Sequence, residues 1–255
     1  AQLQEKNREI TDSIAYARRI QNAVLPSFSL IQEHFKDSFI LYKPRDIVSG
    51  DFYWYSKVGE RHVFALADCT GHGVPGAFMS IIGINCLNTL ILEKHIVEPE
   101  LILNELKKGV VSSLNSDAEH TDKKDGMDVA LITFTKDIMS FSGANQSVYL
   151  LRNQALIQFK GDKQPIGLSE KEENFTSTSF GLQTGDRIIL FSDGVVDQFG
   201  GAEGKKLKIK EFKNWLLDTS ELSLQKQMKE LESRLSRFMA GYEQTDDMTL
   251  AMIEI

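Results

Sequence analysis

Four apolar stretches of the sequence are bordered by aspartate next to glycine or a polar turn. They are SGDFYW with Asp51, FALADCTGHG with Asp68, IILFSDGVVD with Asp193 and then Asp197, and QTDDMTLAMI with Asp246 and Asp247. A carboxylate where a buried strand emerges is costly to desolvate unless something pairs with it. The bases close by in sequence are Lys43, Arg45 and Arg187, too few to neutralise the set. Carboxylates that converge without basic partners imply a bound cation. All-oxygen ligation implies a hard one: Mg2+ or Mn2+, or Ca2+. A Ca2+ loop gathers its ligands within about a dozen residues, whereas these aspartates run from 51 to 247, so the fold has to assemble the site. Any one of them taken alone also fits a turn or a helix cap. Capping alone does not readily account for all four at strand ends.

The remaining pattern sets the fold class. Residues 1–25 read as a helix in which Leu3, Ile10, Ala17 and Val24 recur every seven residues and Ile20 adds a further apolar position, while Lys6 and Ser13 spoil the stripe. Pro26 ends it. Two readings stand side by side: a helix packed on its own domain, or the end of a longer coiled coil that carries a signal or makes a homodimer. Strands are expected at Ser38 to Lys43, Phe52 to Val58, Val63 to Ala67, Val129 to Thr135, Ile138 to Ser142, Val148 to Arg152, Leu156 to Phe159, Arg187 to Phe191 and Met248 to Ile255. Gly73 to His95 reads as a helix apolar all round and therefore buried. Pro99 to Leu114, Phe212 to Leu217 and Leu222 to Met239 read as amphipathic helices. EHTDKKDG is a charged loop, and residues 160–185 are an irregular polar flap. Strands and helices come in groups, which argues for an α+β fold rather than repeated βαβ units. The expected organisation is one domain over 37–255 behind a helical lead-in over 1–36.

Composition removes several function classes. The formal charge of −7 argues against a nucleic-acid binder and fits a protein that collects cations. Cys69 and Cys86 can form neither a zinc knuckle nor a disulfide framework, and two thiols suit a reducing, cytoplasmic setting. No uninterrupted apolar run reaches the roughly 18–20 residues that span a bilayer; Ile81 to Leu92 is broken by Asn85, Asn88 and Thr89. The chain opens on Ala and a polar, charged stretch, so the expectation is a piece of a longer chain with any sensor or membrane tether upstream. There is no P-loop and no G-x-S-x-G elbow. Neither cysteine is followed by the Arg of a cysteine phosphatase, and Asp68 is followed by Cys69 and Thr70 rather than by Asp-x-Asp. Of the histidines, His72 alone sits in a motif, too few for a zinc site.

SGDFYW, ADCTGHGVPGAFMS, SGANQSVYLLR, KQPIGL, TGDRIILFSDGVVD and DDMTLAMI occur in that order. The set resembles the metal-dependent protein serine/threonine phosphatases (PPM type), in the bacterial branch typified by the stage II sporulation phosphatase, over about residues 37–255. The resemblance implies a four-layer α-β-β-α sandwich of two mainly antiparallel sheets flanked by helix pairs. It implies two or more Mn2+ or Mg2+ ions: Asp68 bridging both, the backbone carbonyl of Cys69 on one, Asp193 and Asp246 on the other, and Asp51 acting through water. Asp247 joins the metal set as the neighbour of Asp246, with the inward-pointing member of the pair left open. Water activated between two ions would attack a phosphoserine or phosphothreonine phosphorus without a protein nucleophile. Animal and plant members place a phosphate-binding Arg ahead of the first Asp, which the bacterial branch generally lacks. Arg45 and Lys43 are candidates for that role, with a plain surface role equally open, as is a turn role for His72. The implied partners are a phosphorylated signalling protein, in this branch an anti-sigma-factor antagonist, and an upstream sensor. The alternative is a non-catalytic or switch-inhibited module that signals by docking.

Overall fold

Runs rich in Val, Ile, Phe and Tyr need partners for their backbone N–H and C=O groups, and here they find them in two antiparallel sheets. The structure is a computed structural model and describes residues 2–35, 37–114, 125–169 and 173–255. Helices α1 (Gln2–Val24) and α2 (Phe28–His34) lead into strands β1 (Ser38–Lys43), β2 (Phe52–Val58) and β3 (Arg61–Cys69). Helix α3 (Gly73–Leu87) runs on through a wider helical turn, Asn88–Glu93, to α4 (Pro99–Leu114). Next come β4 (Gly126–Phe134), β5 (Ile138–Ala144), β6 (Ser147–Arg152), β7 (Ala155–Lys160), β8 (Ile166–Gly167), β9 (Thr178–Gly181) and β10 (Arg187–Phe191). The chain closes with α5 (Asp193–Asp197), the small β11 (Phe199–Gly200) and β12 (Lys205–Lys206) pair, α6 (Lys208–Asp218), α7 (Leu224–Phe238) and β13 (Met248–Glu254). The first sheet has the order β1-β13-β10-β6-β7, and the second β2-β3-β4-β5-β9 with β8 on β4.

Alternation along the strands builds the layers, because successive side chains point to opposite faces. Tyr53, Tyr55, Phe64, Leu66 and Ile132 of the second sheet meet Val148, Leu150, Ile188, Leu190 and Ile253 of the first in a shared core. Their neighbours Phe52, Trp54, Val63 and Ala65 face outward onto Ile84, Leu87, Ile102 and Leu106 of α3 and α4. On the other side Tyr149, Ile189, Phe191 and Met252 face Phe212, Leu216, Met228 and Leu231 of α6 and α7. The result is the expected α-β-β-α order of layers.

The structure corrects the sequence reading in places. The 73–95 segment is not buried all round: Val74 and Phe78 of α3 are exposed, because one flank packs on the sheet while the other borders a shallow cleft toward Ala17 and Ile20 of α1, and Leu92 of the turn that follows is exposed too. Gly73–Glu93 is nonetheless long and apolar enough by composition to cross a membrane, a property shared by core helices, and half of its most apolar window is buried in the fold. The heptad positions Leu3, Ile10 and Ile20 of α1 face solvent, and the buried residue of that helix is polar, Gln21. The flap carries β8 and β9, each paired to the second sheet. Most of the EHTDKKDG loop, residues 119–124, lies outside the described residues, as do 170–172 of the flap.

Candidate functional site

The motifs meet because their strands end at one pole of the sandwich. Lys43 at the end of β1 pairs with Met248 at the start of β13, and Phe191 at the end of β10 pairs with Leu250. In the second sheet Phe52 opens β2 opposite Ala67, and Asp68 on β3 lies directly across from Asp128 on β4. Asp51, Asp68, Asp193 and Asp246–Asp247 therefore border the same end of both sheets. Gly71 and Gly73 take positive φ, 81° and 67°, to reverse the chain from β3 into α3.

Close backbone approaches hold the loops together. A Cβ on Gly50 would lie 2.6 Å from the Gly71 carbonyl oxygen and 3.3 Å from that of Cys69. A side chain at Gly194 would run into the Asp247 carbonyl. Hydrogen bonds finish the frame. Ser192 Oγ and Thr249 Oγ1 both donate to Asp51 Oδ2, at 2.6 and 2.7 Å, tying the second sheet's entry to the first sheet. Asp247 is buried, and its two oxygens accept from the backbone N–H of Arg45 and of Gly50, both at 2.7 Å. Asp246 is exposed and accepts from the Asp247 N–H at 2.8 Å. The pair thus divides: Asp247 anchors the loop before Asp51, while Asp246 adds its charge to Asp193, Asp68 and Asp51.

The electrostatics are those of anions held together in a dry place. Asp51 is held well above the ordinary carboxylate range, chiefly by burial, with Asp247 and Asp246 adding repulsion against the pull of its Ser192 and Thr249 bonds. Burial also raises Asp68, followed by the charges of Asp51 and Asp193, and its carboxyl is hydrogen-bonded to that of Asp193. Asp193 is raised by burial and by Asp246 and Asp197. The Cys69 thiol is buried in the outer core and pushed far up, so it is inert, and its carbonyl is the group turned toward Gly50. As the side chains stand, no three His, Cys, Asp or Glu among the described residues meet at ligating distance. Asp51 is turned onto two hydroxyls and Asp247 onto two amides. The donor set nonetheless fits hard divalent ions: all oxygen, crowded, and raised by burial and mutual repulsion rather than neutralised by bases.

The other candidates stand apart. Arg45 and Lys43 are exposed, contributing a backbone N–H to Asp247 and a backbone carbonyl to Gln244. His72 Nδ1 lies 2.8 Å from Asp46 Oδ2 at the surface. Two contributors escaped the sequence reading. Asp128, raised by burial and held by Asn145 Nδ2 at 2.8 Å, joins the carboxylates through its register opposite Asp68, a long-range pairing that MDVAL alone does not announce. Gln21 of α1 reaches across to the Asp51 loop: its Nε2 donates to the Ser49 carbonyl at 2.6 Å and to Ser80 Oγ at 2.9 Å, and its Oε1 accepts from the Ser49 N–H. Gln21→Ala is expected to cost about 1–3 kcal/mol, the usual penalty for stranding buried polar groups, read as a lowered Tm. An unchanged Tm would show that the latch contributes nothing.

Fold and site together define the PP2C type of serine/threonine phosphatase architecture. The chain belongs to the stage II sporulation protein E (SpoIIE) family, whose profile matches residues 59–255. It is 24% identical over 193 residues to the phosphoserine phosphatase RsbU of Bacillus subtilis (strain 168), covering 74% of this chain and 55% of that protein. The chain therefore spans about half the length of that curated relative. Among solved structures, the SiaA-PP2C domain of Pseudomonas aeruginosa superposes with a TM-score of 0.87 at 28% identity, over 98% of both chains. The catalytic domain of the serine threonine protein phosphatase PstP, solved in complex with 2 manganese ions, shares the fold at a TM-score of 0.59 and 16% identity, over 85% of this chain and 96% of that one.

Proposed function

We propose that this chain hydrolyses phosphoserine or phosphothreonine on a signalling protein, with two or more Mn2+ or Mg2+ ions held by its clustered aspartates. The observation that carries the reading is the crowding of Asp51, Asp68 and Asp193, each raised chiefly by burial and by neighbouring carboxylates. Such a set is poor as a structural ion-pair network and good as a cation cage. Asp68 would bridge, with the Cys69 carbonyl beside it and Asp193 and Asp246 completing the set. Asp51, fixed by Ser192 and Thr249, would act from behind through water. Asp247 would position the 45–50 loop rather than ligate. When bound, the ions supply an activated water and offset charge on the phosphoryl oxygens. The protein's part is to keep the carboxylates rigid and crowded.

The name of RsbU and the metals of PstP support the same reading. A phosphorylated anti-sigma-factor antagonist is the substrate this branch would take, and α1, latched to the Asp51 loop, would connect the domain to an upstream sensor. The direct test is Mn2+-dependent hydrolysis of p-nitrophenyl phosphate and of a phosphoserine peptide. Turnover that EDTA abolishes is expected. Absence of turnover with either Mn2+ or Mg2+ would overturn the enzyme reading in favour of a docking module.

A further inference from the structure

Beside the carboxylates, an acidic chain concentrates positive charge. Lys205, Lys206, Lys208 and Lys210 fall within six residues, in GKKLKIK, and all are exposed; Lys205 is paired with its neighbour Glu203, which leaves the other three to set the local charge. Lys206 is the best placed. Its Nζ pairs with Asp197 Oδ2 at 2.7 Å and lies 5.9 Å from the ring centroid of Phe199, which is itself exposed. It also acts on Asp193 at the far end of the same short helix.

The pair of strands that carries it is rigidly seated. Gln198 is fully buried and binds the Glu243 carbonyl through Nε2, and its Oε1 accepts from the Thr245 N–H, so the pair is bolted to the segment that bears Asp246. Gly200 packs so closely on the Phe238 carbonyl that a Cβ would not fit. Lys208 and Lys210 begin α6, where cations oppose the helix dipole; Glu211 is the acidic residue of that turn, and no side chain caps the end. Lys208 also sits at a positive φ of 65°. Among the described residues neither has an ion pair. Like charges set against a dipole in a strained start cost stability, which fits a surface kept for a partner.

We infer that Lys206, Phe199, Lys208 and Lys210 form a docking rim for an acidic segment flanking the phosphorylated residue of the protein substrate. This rests on the proposed phosphatase activity and adds the recognition chemistry. Lys206 would exchange its solvent-exposed bond to Asp197 for a carboxylate of the substrate while the phosphoryl group lies toward the aspartates. Exposed charge pairs act mainly on encounter and are screened by salt.

The test uses the whole chain with Mn2+ and three substrates: p-nitrophenyl phosphate, a phosphoserine peptide flanked by Asp and Glu, and the same peptide flanked by Ser and Gly. The unmodified chain is expected to favour the acidic peptide in kcat/KM by about tenfold at low salt, the factor a few exposed pairs supply together. Raising the salt should erase most of that ratio. Lys206→Ala and the double variant Lys208→Glu/Lys210→Glu should each bring the ratio toward one, through KM, while Lys206→Arg keeps it. No preference for the acidic peptide, or a ratio unmoved in both variants, overturns the docking rim. Equal loss on all three substrates in Lys206→Ala also overturns it, since that outcome assigns Lys206 to the aspartates. If p-nitrophenyl phosphate itself is not hydrolysed by the unmodified chain, the phosphatase reading has failed and the rim falls with it.

Discussion

Asp68→Asn is expected to lower Mn2+-dependent hydrolysis of p-nitrophenyl phosphate by at least about 10³-fold, the upper end of what one lost electrostatic contact at a reacting centre produces. The substitution keeps the shape of the side chain and removes its capacity to carry charge. Burial and the charges of Asp51 and Asp193 already favour the uncharged form of this group in the absence of a cation. The amide can reproduce that form, including a hydrogen bond to Asp193, so the fold should tolerate it: Tm in EDTA should be unchanged or slightly raised. Activity and metal-induced stabilisation should disappear together. Asp247→Asn is the contrasting control, because its carboxylate collects two backbone N–H groups. An amide has one acceptor oxygen and turns its NH2 toward the other donor, so this variant should lower Tm with or without metal. Retention of Mn2+-dependent turnover in Asp68→Asn would sink the bridging role proposed for it.

Much of this site was legible because strand-end aspartates are a local signal. β1, β2 and β10 occupy the expected residues, since their β-branched and aromatic runs have sharp polar borders. The unread parts depend on pairing at a distance. Asp128 matters only because β4 lies in register with β3, and β8 and β9 are strands only because β4 and β5 offer them an edge. Helix α2 has seven residues, too few for a helical period to show. Asp193 fits a turn or a helix cap in sequence, and in the structure it starts a single helical turn, α5. Gln21 is one polar residue among many in a polar helix, and its burial follows from the Ser49 loop folding over it. The division of labour between Asp246 and Asp247 was likewise invisible in DDMTL, because two adjacent carboxylates differ only by what the chain brings to each.

The same crowding that marks the site predicts how stability responds to pH and metal. Carboxyls in the unfolded chain titrate near 4, whereas those of Asp51, Asp68, Asp193 and Asp128 are all raised in the fold. Above the unfolded pKa the folded state therefore holds protons that the unfolded state has lost. Stability must fall as pH rises through that window, by up to about 1.4 kcal/mol per pH unit for each proton retained. His62 works in the opposite direction. Burial, with His34 and Lys57 beside it, lowers it to about 4, so the unfolded chain binds the extra proton and stability rises with pH until about 6.5. The carboxylates are thus read cleanly above neutrality. In EDTA, Tm should decline from about pH 7 to about pH 8.5, because Asp51, pushed up to about 8, and Asp68, pushed up to about 10, still hold protons in the fold that the unfolded chain has lost. Divalent ions bind the deprotonated carboxylates, so their binding releases protons and strengthens as pH rises. The Tm gain from saturating Mn2+ should accordingly widen over the same interval, and Asp68→Asn should both flatten the EDTA slope and abolish the gain. A Tm in EDTA that holds or climbs above neutrality, with a Mn2+ gain independent of pH, would show that these aspartates are charged and separately solvated in the fold, and the cation cage would have no basis.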